Sequence, residues 1–390
     1  MPSNQKINVC VVCGDSVGGL RKHVHDILLS NLNKQFDFLY VHSLKSDQKA
    51  KQDFIAIHSL KIKQLTLSIQ KQPHWTDVFN IIKIASACKH AQIDVLHGHG
   101  AKGGLYSRLI GLILRIPVIY TPHGGSVHGR FGRIQGILYR TIERLLVPLT
   151  DLFIFESYYT WQAFTKNIAM LPQRAFMINH NGASPDDYHP TQEWNHHLPS
   201  TIRLIVIGSL QTIKGQHVAI QAIAELRQKH FPVTLEICGD GEEKPNLQRL
   251  AQELGVTEFV LFQGDTLDVS AHIEQSNIVL IPSLFESFGY VAIEAALMKR
   301  PVVASATGGL PEIIIHNETG LLFKTGDASA LTQCVMDILA DTTKTSDMVA
   351  AATQRVLQQF SMDQMLGNLN DAYQRMNKKT ILRASQDASP

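Results

Sequence analysis

The chain has 390 residues and a net charge of +2, and 44% of its residues are hydrophobic. This composition predicts two domains with full cores and gives no reason to expect a nucleic-acid partner. No apolar run approaches the roughly 20 residues that cross a membrane, and residues 1–6 are too polar to begin a signal peptide. We therefore expect a cytoplasmic protein.

The first half of the chain alternates strand and helix patterns, which predicts a parallel sheet with helices on both faces. Strands are predicted at residues 7–13, 36–41, 95–97, 117–121, 152–156 and 175–178. Helices are predicted at residues 20–32, 75–87, 103–114, 136–148 and 158–169.

The pattern stops at residues 182–200, which hold three prolines and no apolar period, as a linker would. It then restarts, with strands predicted at 204–207, 233–238, 260–262, 278–281, 302–304 and 321–323. Helices are predicted at 217–228, 246–254, 269–275, 291–297 and 328–339. We predict an α/β protein with two doubly wound domains, facing each other across a cleft at the carboxyl ends of their strands.

The predicted boundaries follow from these patterns. The N-terminal domain is placed at residues 1–188 and the C-terminal domain at residues 200–360. Residues 361–376 form one more helix. Residues 377–390 are polar and are predicted to be a disordered tail.

Basic residues are concentrated in the first half. The first 200 residues carry 21 Lys and Arg against 13 Asp and Glu, and the rest carry 15 against 21. This asymmetry indicates an anionic partner, or a chance difference between two surfaces. Arg130, Arg133, Arg140 and Arg144 lie in and before an amphipathic helix. Peripheral contact with the inner face of the cytoplasmic membrane is one interpretation, and an ordinary surface helix is the other.

The five cysteines are scattered along the chain. Cys10 and Cys13 form a C-x-x-C motif, but they lie within a predicted strand, whereas a redox pair usually lies at a helix N-terminus. We interpret them as core thiols. The absence of a disulfide framework is consistent with a reducing compartment.

The most informative stretch runs from Pro282 to Ala295, after the predicted strand 278–281. A loop between a buried strand and a helix start directs backbone N–H groups and the helix dipole at one point, which suits a phosphate. Glu286 lies in this loop and Glu294 about one turn into the helix. Because carboxylates accept hydrogen bonds from sugar hydroxyls, the stretch predicts a site for a sugar nucleotide.

Other strand-end loops carry weaker signals. Lys214 follows the first strand of the second domain and could pair with a diphosphate, or be a solvated surface lysine. Gly18 and Gly19 follow the first strand of the chain and allow close approach to a phosphate, although a simple tight turn is equally compatible. Gly239-Asp-Gly241 is also either a nucleotide contact or a plain turn.

Histidines end two strands of the first domain. His123 lies beside two glycines, where catalytic groups of this architecture lie. His97 and His99 form an H-x-H pair that could ligate a metal, but no third ligand stands at a matching spacing. Asp-x-Asp, the usual platform for a metal-bound sugar nucleotide, is absent. We therefore predict no metal site.

These motifs together resemble the family 4 glycosyltransferases, and in particular the branch that builds cell-surface polysaccharides. The resemblance covers about residues 5–376 and is carried by Glu286-x₇-Glu294 within Pro-Ser-x-x-Glu-Ser-Phe-Gly, by Arg300-Pro-Val-Val-Ala-Ser, by Lys214-Gly and by His97-Gly-His-Gly-Ala-Lys-Gly-Gly. It implies the GT-B fold, with the last helix, residues 361–376, crossing back to the N-terminal domain. It also implies glycosyl transfer with retention of configuration, without a metal or other cofactor. The implied partners are a nucleotide sugar and a glycan or lipid-linked acceptor.

The resemblance also implies roles for single residues. Glu294 would hold the ribose hydroxyls, Glu286 the donor sugar, and Lys214 would neutralise the departing diphosphate. The remaining implied contacts are Gly18 and Gly19 for the diphosphate, His123 for the sugar and the reaction centre, and the backbone of Phe288, Gly289 and Tyr290 for sugar and diphosphate.

One position departs from the family pattern. Ser209 stands in Gly-Ser-Leu, where the family commonly has arginine, so a second cation on the diphosphate is missing unless Arg21 or Lys102 replaces it. This departure motivates one alternative to an active transferase of UDP-sugars or GDP-sugars, a sugar-nucleotide-binding subunit without turnover. A separate alternative is a sugar-nucleotide 2-epimerase on the same fold.

Overall fold

The computed structural model describes residues 6–14, 18–43, 55–70, 72–124, 133–194 and 199–387. The chain forms two compact units. Unit 1 consists of Met1–His180 together with Met365–Pro390, and unit 2 of Asn181–Gln364. Each unit is a parallel sheet flanked by helices, which confirms the predicted α/β class and the pair of Rossmann-like domains.

Unit 1 contains a seven-stranded sheet in the order β3-β2-β1-β4-β5-β6-β7, in which all neighbouring strands are parallel. The strands are β1 (Ile7–Cys13), β2 (Phe36–Ser43), β3 (Lys63–Leu67), β4 (Val95–His99), β5 (Val118–Thr121), β6 (Leu152–Phe155) and β7 (Phe176–Ile178). The helices are α1 (Gly18–Leu29), α2 (Thr76–His90), α3 (Gly100–Leu114), α4 (Arg133–Leu146) and α5 (Tyr158–Asn167). Strand order reverses between β1 and β4, so their carboxyl ends mark the ligand position of such sheets.

Unit 2 contains a six-stranded parallel sheet in the order β10-β9-β8-β11-β12-β13. The strands are β8 (Ile202–Ile207), β9 (Val233–Cys238), β10 (Val260–Gly264), β11 (Ile278–Ile281), β12 (Val302–Ser305) and β13 (Leu321–Phe323). The helices are α6 (Gln216–Gln228), α7 (Lys244–Glu253), α8 (Val269–Gln275), α9 (Tyr290–Leu297), α10 (Leu310–Ile313), α11 (Ala328–Ala340) and α12 (Thr342–Gln359). Here the order reverses between β8 and β11.

The sequence patterns miss the edge strand β3 and the long helix α12. Strand β3 pairs with β2 at the edge of its sheet, and only Leu67 of its residues is buried. A polar edge strand lacks the apolar run that identifies a central one. Helix α12 is also absent from the prediction, although its buried residues, such as Met348 and Val356, follow a helical period.

The predicted linker belongs largely to unit 2. The N–H of Ala183 donates to the Phe360 carbonyl at 3.0 Å, and its own carbonyl accepts from Met362 N–H at 3.1 Å. Tyr188 and Trp194 pack into the two hydrophobic clusters of unit 2. Unit 2 therefore begins at residue 181 rather than 200, because backbone pairing and aromatic burial fix a segment whose proline content is typical of a linker.

The last helix, α13 (Met362–Asp387), is longer than the predicted 361–376, so the predicted disordered tail is mostly helical. The Thr380 hydroxyl donates to the Asp94 carbonyl at 2.8 Å, and Lys379 Nζ lies 2.7 Å from Asp151 Oδ1. These contacts hold the polar extension on unit 1. Within the described chain, no helix combines the length and the apolar character that crossing a membrane would require.

A buried ion pair joins α3 to α4 in unit 1. Arg108 Nη1 lies 2.7 Å from Glu143 Oε2, and the two side chains are 0% and 5% exposed. The guanidinium also stacks 4.1 Å from the ring centre of Tyr120, whose hydroxyl donates to Glu143 at 3.1 Å. Burial would lower the pKa of Arg108, but the charge of Glu143 and the contact with Tyr120 outweigh it, so the pKa is raised and the guanidinium stays charged.

Candidate active site

The centre of the candidate site is an ion pair at the switch point of unit 2. Lys214 follows β8, Glu286 follows β11, and Lys214 Nζ lies 2.7 Å from Glu286 Oε2. The same carboxylate oxygen accepts a hydrogen bond from the Ser283 hydroxyl at 3.1 Å. Both charged side chains keep partial exposure, 27% for Lys214 and 15% for Glu286. An ion pair at this edge of the sheet offers a cation and a carboxylate to the same ligand.

Two glycines bring the loops around this pair together. Gly215 has a φ of 66°, and a Cβ there would lie 2.0 Å from the Pro282 carbonyl oxygen. Gly308 has a φ of 62°, and a Cβ there would lie 1.6 Å from the Glu286 carbonyl oxygen. Gly309 N–H donates to that same carbonyl at 3.1 Å. Gly308 and Gly309 therefore hold the backbone carbonyl of Glu286, while Lys214 and Ser283 hold its side chain.

We expect Gly308→Ala to destabilise unit 2 and to displace Glu286. The left-handed backbone alone costs alanine roughly 1–2 kcal/mol, and the clash with the Glu286 carbonyl adds to that cost. A displacement of about 1 Å at a catalytic group can lower the rate about 100-fold. Thermal unfolding and transfer kinetics measure the two effects.

Gly255→Ala is the matched control. Gly255 also has a positive φ, 69°, but a Cβ added there would meet no atom of the described residues within 4 Å. This variant should therefore carry the backbone cost without the clash. Equal loss of stability in both variants would contradict the role of the close contact at Gly308.

Helix α9 begins beside the ion pair. Gly289 is its N-cap with a φ of 120°, and a Cβ there would lie 2.7 Å from Leu310 Cδ2. Glu294 lies in this helix and accepts a hydrogen bond from the Tyr188 hydroxyl at 3.3 Å. The structure thus connects the second predicted carboxylate to the segment that the sequence predicts to be a linker.

Phe288, Tyr290 and Ser209, which the sequence analysis also singles out in unit 2, differ in their exposure. Phe288 and Tyr290 are largely buried, and the Phe288 ring packs against Tyr290 and Phe360. Their side chains build the core, which leaves their backbone for any ligand contact. Ser209 is exposed after β8, and its carbonyl accepts from Gln216 Nε2 at 3.1 Å.

The predicted residues of unit 1 follow β1, at its own switch point, and β5, the strand next to β4. Gly18 and Gly19 are exposed at the start of α1, and Gly18 has a φ of 55° that favours glycine. His123 follows β5, also with a positive φ of 50°, and its Nε2 lies 3.0 Å from His99 Nδ1. Gly125, the second of the two glycines beside His123, and Arg130 of the basic segment lie outside the described residues.

The two histidines of the H-x-H pair make different hydrogen bonds, although their ring centres lie 3.9 Å apart. His97 is fully buried, and its two ring nitrogens meet the Thr121 and Tyr373 hydroxyls, each at 2.9 Å. His99 is instead joined to His123. Burial, followed by repulsion between neighbouring imidazoles, holds the pKa of His97, of His99 and of His123 well below the ordinary value of histidine. These rings are therefore neutral at pH 7.

Lys102, one suggested substitute for the missing arginine, is already paired. Its ammonium contacts the carboxylate of Asp77 in α2, which also accepts a hydrogen bond from the Tyr106 hydroxyl. Burial alone would raise the pKa of Asp77, but the hydrogen bonds from Lys102 and Tyr106 outweigh it and lower that pKa. Lys102 therefore has its charge neutralised within unit 1.

Sequence reasoning missed the residues that hold the predicted ones. Ser283 and Tyr188 hydrogen-bond to the two glutamates, and His23 of α1 packs 5.0 Å from the His123 ring centre. Ser283 lies within the motif itself and could have been weighed as a donor to Glu286. No pattern in the sequence connects His23 to His123, which lies 100 residues further along the chain.

Two family models match the chain. Residues 17–186 match the model for glycosyltransferase family 4, and residues 192–355 match the model for glycosyl transferases group 1. The D-inositol 3-phosphate glycosyltransferase of Corynebacterium aurimucosum is 29% identical over 76% of this chain and 74% of its own length. The N-acetyl-alpha-D-glucosaminyl L-malate synthase of Bacillus anthracis is 23% identical over 94% and 97%.

The fold is shared with solved structures. The Anabaena protein HepE, solved in complex with UDP-glucose, superposes with a TM-score of 0.78 over 95% of this chain and 99% of its own, at 22% identity. Two doubly wound units with this arrangement of strands define the class of GT-B glycosyltransferases. Within that class, the chain belongs to the group 1 glycosyltransferases of family 4, and it is a glycosyltransferase.

Proposed function

We propose that this glycosyltransferase moves a hexosyl group from a nucleotide-diphosphate sugar, with a UDP-sugar favoured over a GDP-sugar, to a lipid-linked or growing cell-surface glycan. The reaction proceeds with retention of anomeric configuration and without a metal. The observation that carries the proposal is the contact between Lys214 and Glu286 at the switch point of unit 2. HepE, which shares the fold and was solved with UDP-glucose, supports a UDP-sugar as the donor.

The proposed chemistry divides these residues by charge. When the bond between the anomeric carbon and the diphosphate breaks, the diphosphate gains negative charge, and Lys214 stabilises it. Glu286 orients the ammonium of Lys214 and accepts hydrogen bonds from the hydroxyls of the donor sugar. Glu294, about one turn into the following helix, holds the ribose.

Unit 1 supplies the remaining proposed groups. The exposed glycines Gly18 and Gly19 leave backbone N–H groups at a helix start, which suits a phosphate. His123 is neutral and can donate or accept one hydrogen bond to the sugar at the reaction centre. His99 fixes the orientation of the His123 ring through the 3.0 Å contact between their nitrogens.

A panel of UDP-, GDP- and ADP-sugars tests this function. We expect slow hydrolysis or transfer with one donor class, and a raised melting temperature with the matching nucleoside diphosphate, since a ligand that binds the folded state stabilises it. NMR of the product reports whether configuration is retained. Calorimetry that detects no binding of any nucleotide sugar would rule the proposal out.

The proposed acceptor motivates a membrane contact by α4. Ile137, Leu138 and Leu145 of this helix are each more than half exposed. Arg140 accompanies them, whereas Arg144 donates from Nε to the Ile168 carbonyl at 3.0 Å and so serves partly to hold α5. An exposed apolar face with a basic residue is typical of a helix that lies at a lipid surface.

We expect Arg140→Glu to weaken binding to anionic vesicles roughly 5- to 30-fold, because each basic residue near such a surface contributes about 1 kcal/mol and the reversal adds repulsion. Co-sedimentation with phosphatidylglycerol vesicles measures the effect. Arg249→Glu, on the exposed face of α7 in unit 2, is the control and should bind like the wild type. Unchanged binding by the Arg140 variant would assign α4 to an ordinary protein surface.

A further inference from the structure

Three histidines of unit 1 converge on one point. His23 lies in α1, His99 ends β4 and His123 follows β5. Each offers a ring nitrogen, and these three atoms all lie within 4.8 Å of one another. His23 and His99 are buried and His123 is partly buried. Three convergent imidazoles in a mostly buried position are the donor set of a transition-metal site.

The spacing of the rings fits one tetrahedral ion. Ring centres lie 5.5 Å apart for His23 and His99, 5.0 Å for His23 and His123, and 5.3 Å for His99 and His123. With zinc–nitrogen bonds of about 2.0–2.1 Å, each ring centre would lie about 3.2 Å from the ion, and tetrahedral angles would separate the centres by about 5.2 Å. The three observed distances form a nearly equilateral triangle of that size.

The hydrogen bonding of the cluster also leaves room for a cation. A neutral imidazole offers a nitrogen lone pair to a metal. His99 Nε2 is buried and has no hydrogen-bond partner among the residues that the structure describes. The cluster is therefore not a closed hydrogen-bond network of the kind that His97 makes with Thr121 and Tyr373.

We propose that His23, His99 and His123 form a binding site for a divalent transition metal, with Zn²⁺ as the preferred ion and a fourth position left for water or another ligand. The proposed transfer reaction does not need this ion. A metal on His123 would occupy the imidazole that is proposed to meet the donor sugar. We therefore expect Zn²⁺ to inhibit transfer, and this second part rests on the proposed function while the binding itself does not.

Zinc binding to the full chain, freed of any histidine tag and treated with a chelator, tests the site. After equilibrium dialysis against Zn²⁺, elemental analysis should give one tightly bound ion per chain. Co²⁺ should produce the intense visible absorption of tetrahedral coordination. His23→Asn, His99→Asn and His123→Asn should each weaken metal binding at least about 100-fold, more than a substitution outside the ligand set would.

Two control variants, at His272 and at Lys214, show whether tight zinc binding belongs to the three histidines. Glu236, Cys238 and His272 form a second cluster, but burial raises the pKa of the Cys238 thiol to about 12, so the thiolate that a metal needs is scarce. His272→Asn should therefore keep the tight ion. Lys214→Met should also keep it, even though we expect that variant to lose transfer, so failure of the proposed donor role and failure of the metal site are distinguishable.

Three results would overturn the proposal. One is a wild-type chain that binds no tight Zn²⁺ and gives no tetrahedral Co²⁺ spectrum. Another is loss of the ion in the His272 variant. The third is wild-type affinity in the His123 variant, whose partly exposed loop position makes it the one of the three best able to fold, as circular dichroism will verify.

Discussion

Lys214→Met should lower kcat for sugar transfer about 10²- to 10³-fold, the usual loss when one preorganised charge partner of a transition state is removed. Methionine keeps the length of the side chain but removes the positive charge beside Glu286. The carboxylate then remains 15% exposed at a position where a diphosphate would gain negative charge, so repulsion adds to the lost attraction. Because Ser209 replaces the usual arginine, the effect should be stronger than in a site with two cations.

Steady-state kinetics with the donor that the panel identifies measure this loss. Lys229→Met, at the exposed C-terminal cap of α6, is the matched control and should retain wild-type kinetics. Glu286→Gln separates the two roles of the carboxylate. It should raise KM for the donor sugar and lower kcat, while binding of the nucleoside diphosphate alone should persist. A Lys214 variant with wild-type kcat would remove this lysine from the mechanism.

Arg108→Met should reduce the free energy of unfolding by about 3–5 kcal/mol, the cost of removing one partner from a buried ion pair. Glu143, with a side chain only 5% exposed, would lose the guanidinium that pairs with it. The cation–π contact with Tyr120 would be lost as well. Urea denaturation of the full chain measures the change.

The double variant Arg108→Met/Glu143→Leu shows whether the lost charge pairing of the single variant causes its loss of stability. Replacing a buried pair with apolar groups of similar volume is often neutral or stabilising, so this variant should regain most of the stability. A double variant as unstable as the single one would show that Arg108 acts through packing on Tyr120 rather than through its charge.

The fold could be predicted because buried parallel strands are continuous apolar runs. Residues 278–281, four consecutive β-branched or leucine residues, are placed correctly as Ile278–Ile281 for this reason. Lys63–Leu67 is missed because an edge strand needs only one buried residue here. The predicted end of unit 1, residue 188, lies within unit 2. The segment is held by the backbone hydrogen bonds of Ala183 and by the packing of Trp194, and such contacts leave no periodic pattern in the sequence.

The sequence predicts which loops carry the residues of the candidate site, but it does not predict which side chains contact each other. The sequence placed Lys214 and Glu286 on loops after different strands, and adjacency of β8 and β11 brings them to 2.7 Å. The family pattern assigns Glu286 to the sugar alone, whereas the structure also makes it the counter-ion of the lysine. Lys102 is one suggested substitute for the missing arginine, but it pairs with Asp77, and that pairing depends on the packing of α2 against α3, which no local spacing reveals.

Helix α13 has a consequence for the order in which the protein is made. Unit 2 is continuous, Asn181–Gln364, so all its residues leave the ribosome before unit 1 receives Met365–Pro390. Until then the rings of Phe36 and Phe38 and the buried His97 lack Tyr373, which packs against all three. The portion synthesised first is thus the last to be completed, because Phe36, Phe38 and His97 gain their packing partner only when Tyr373 has been made.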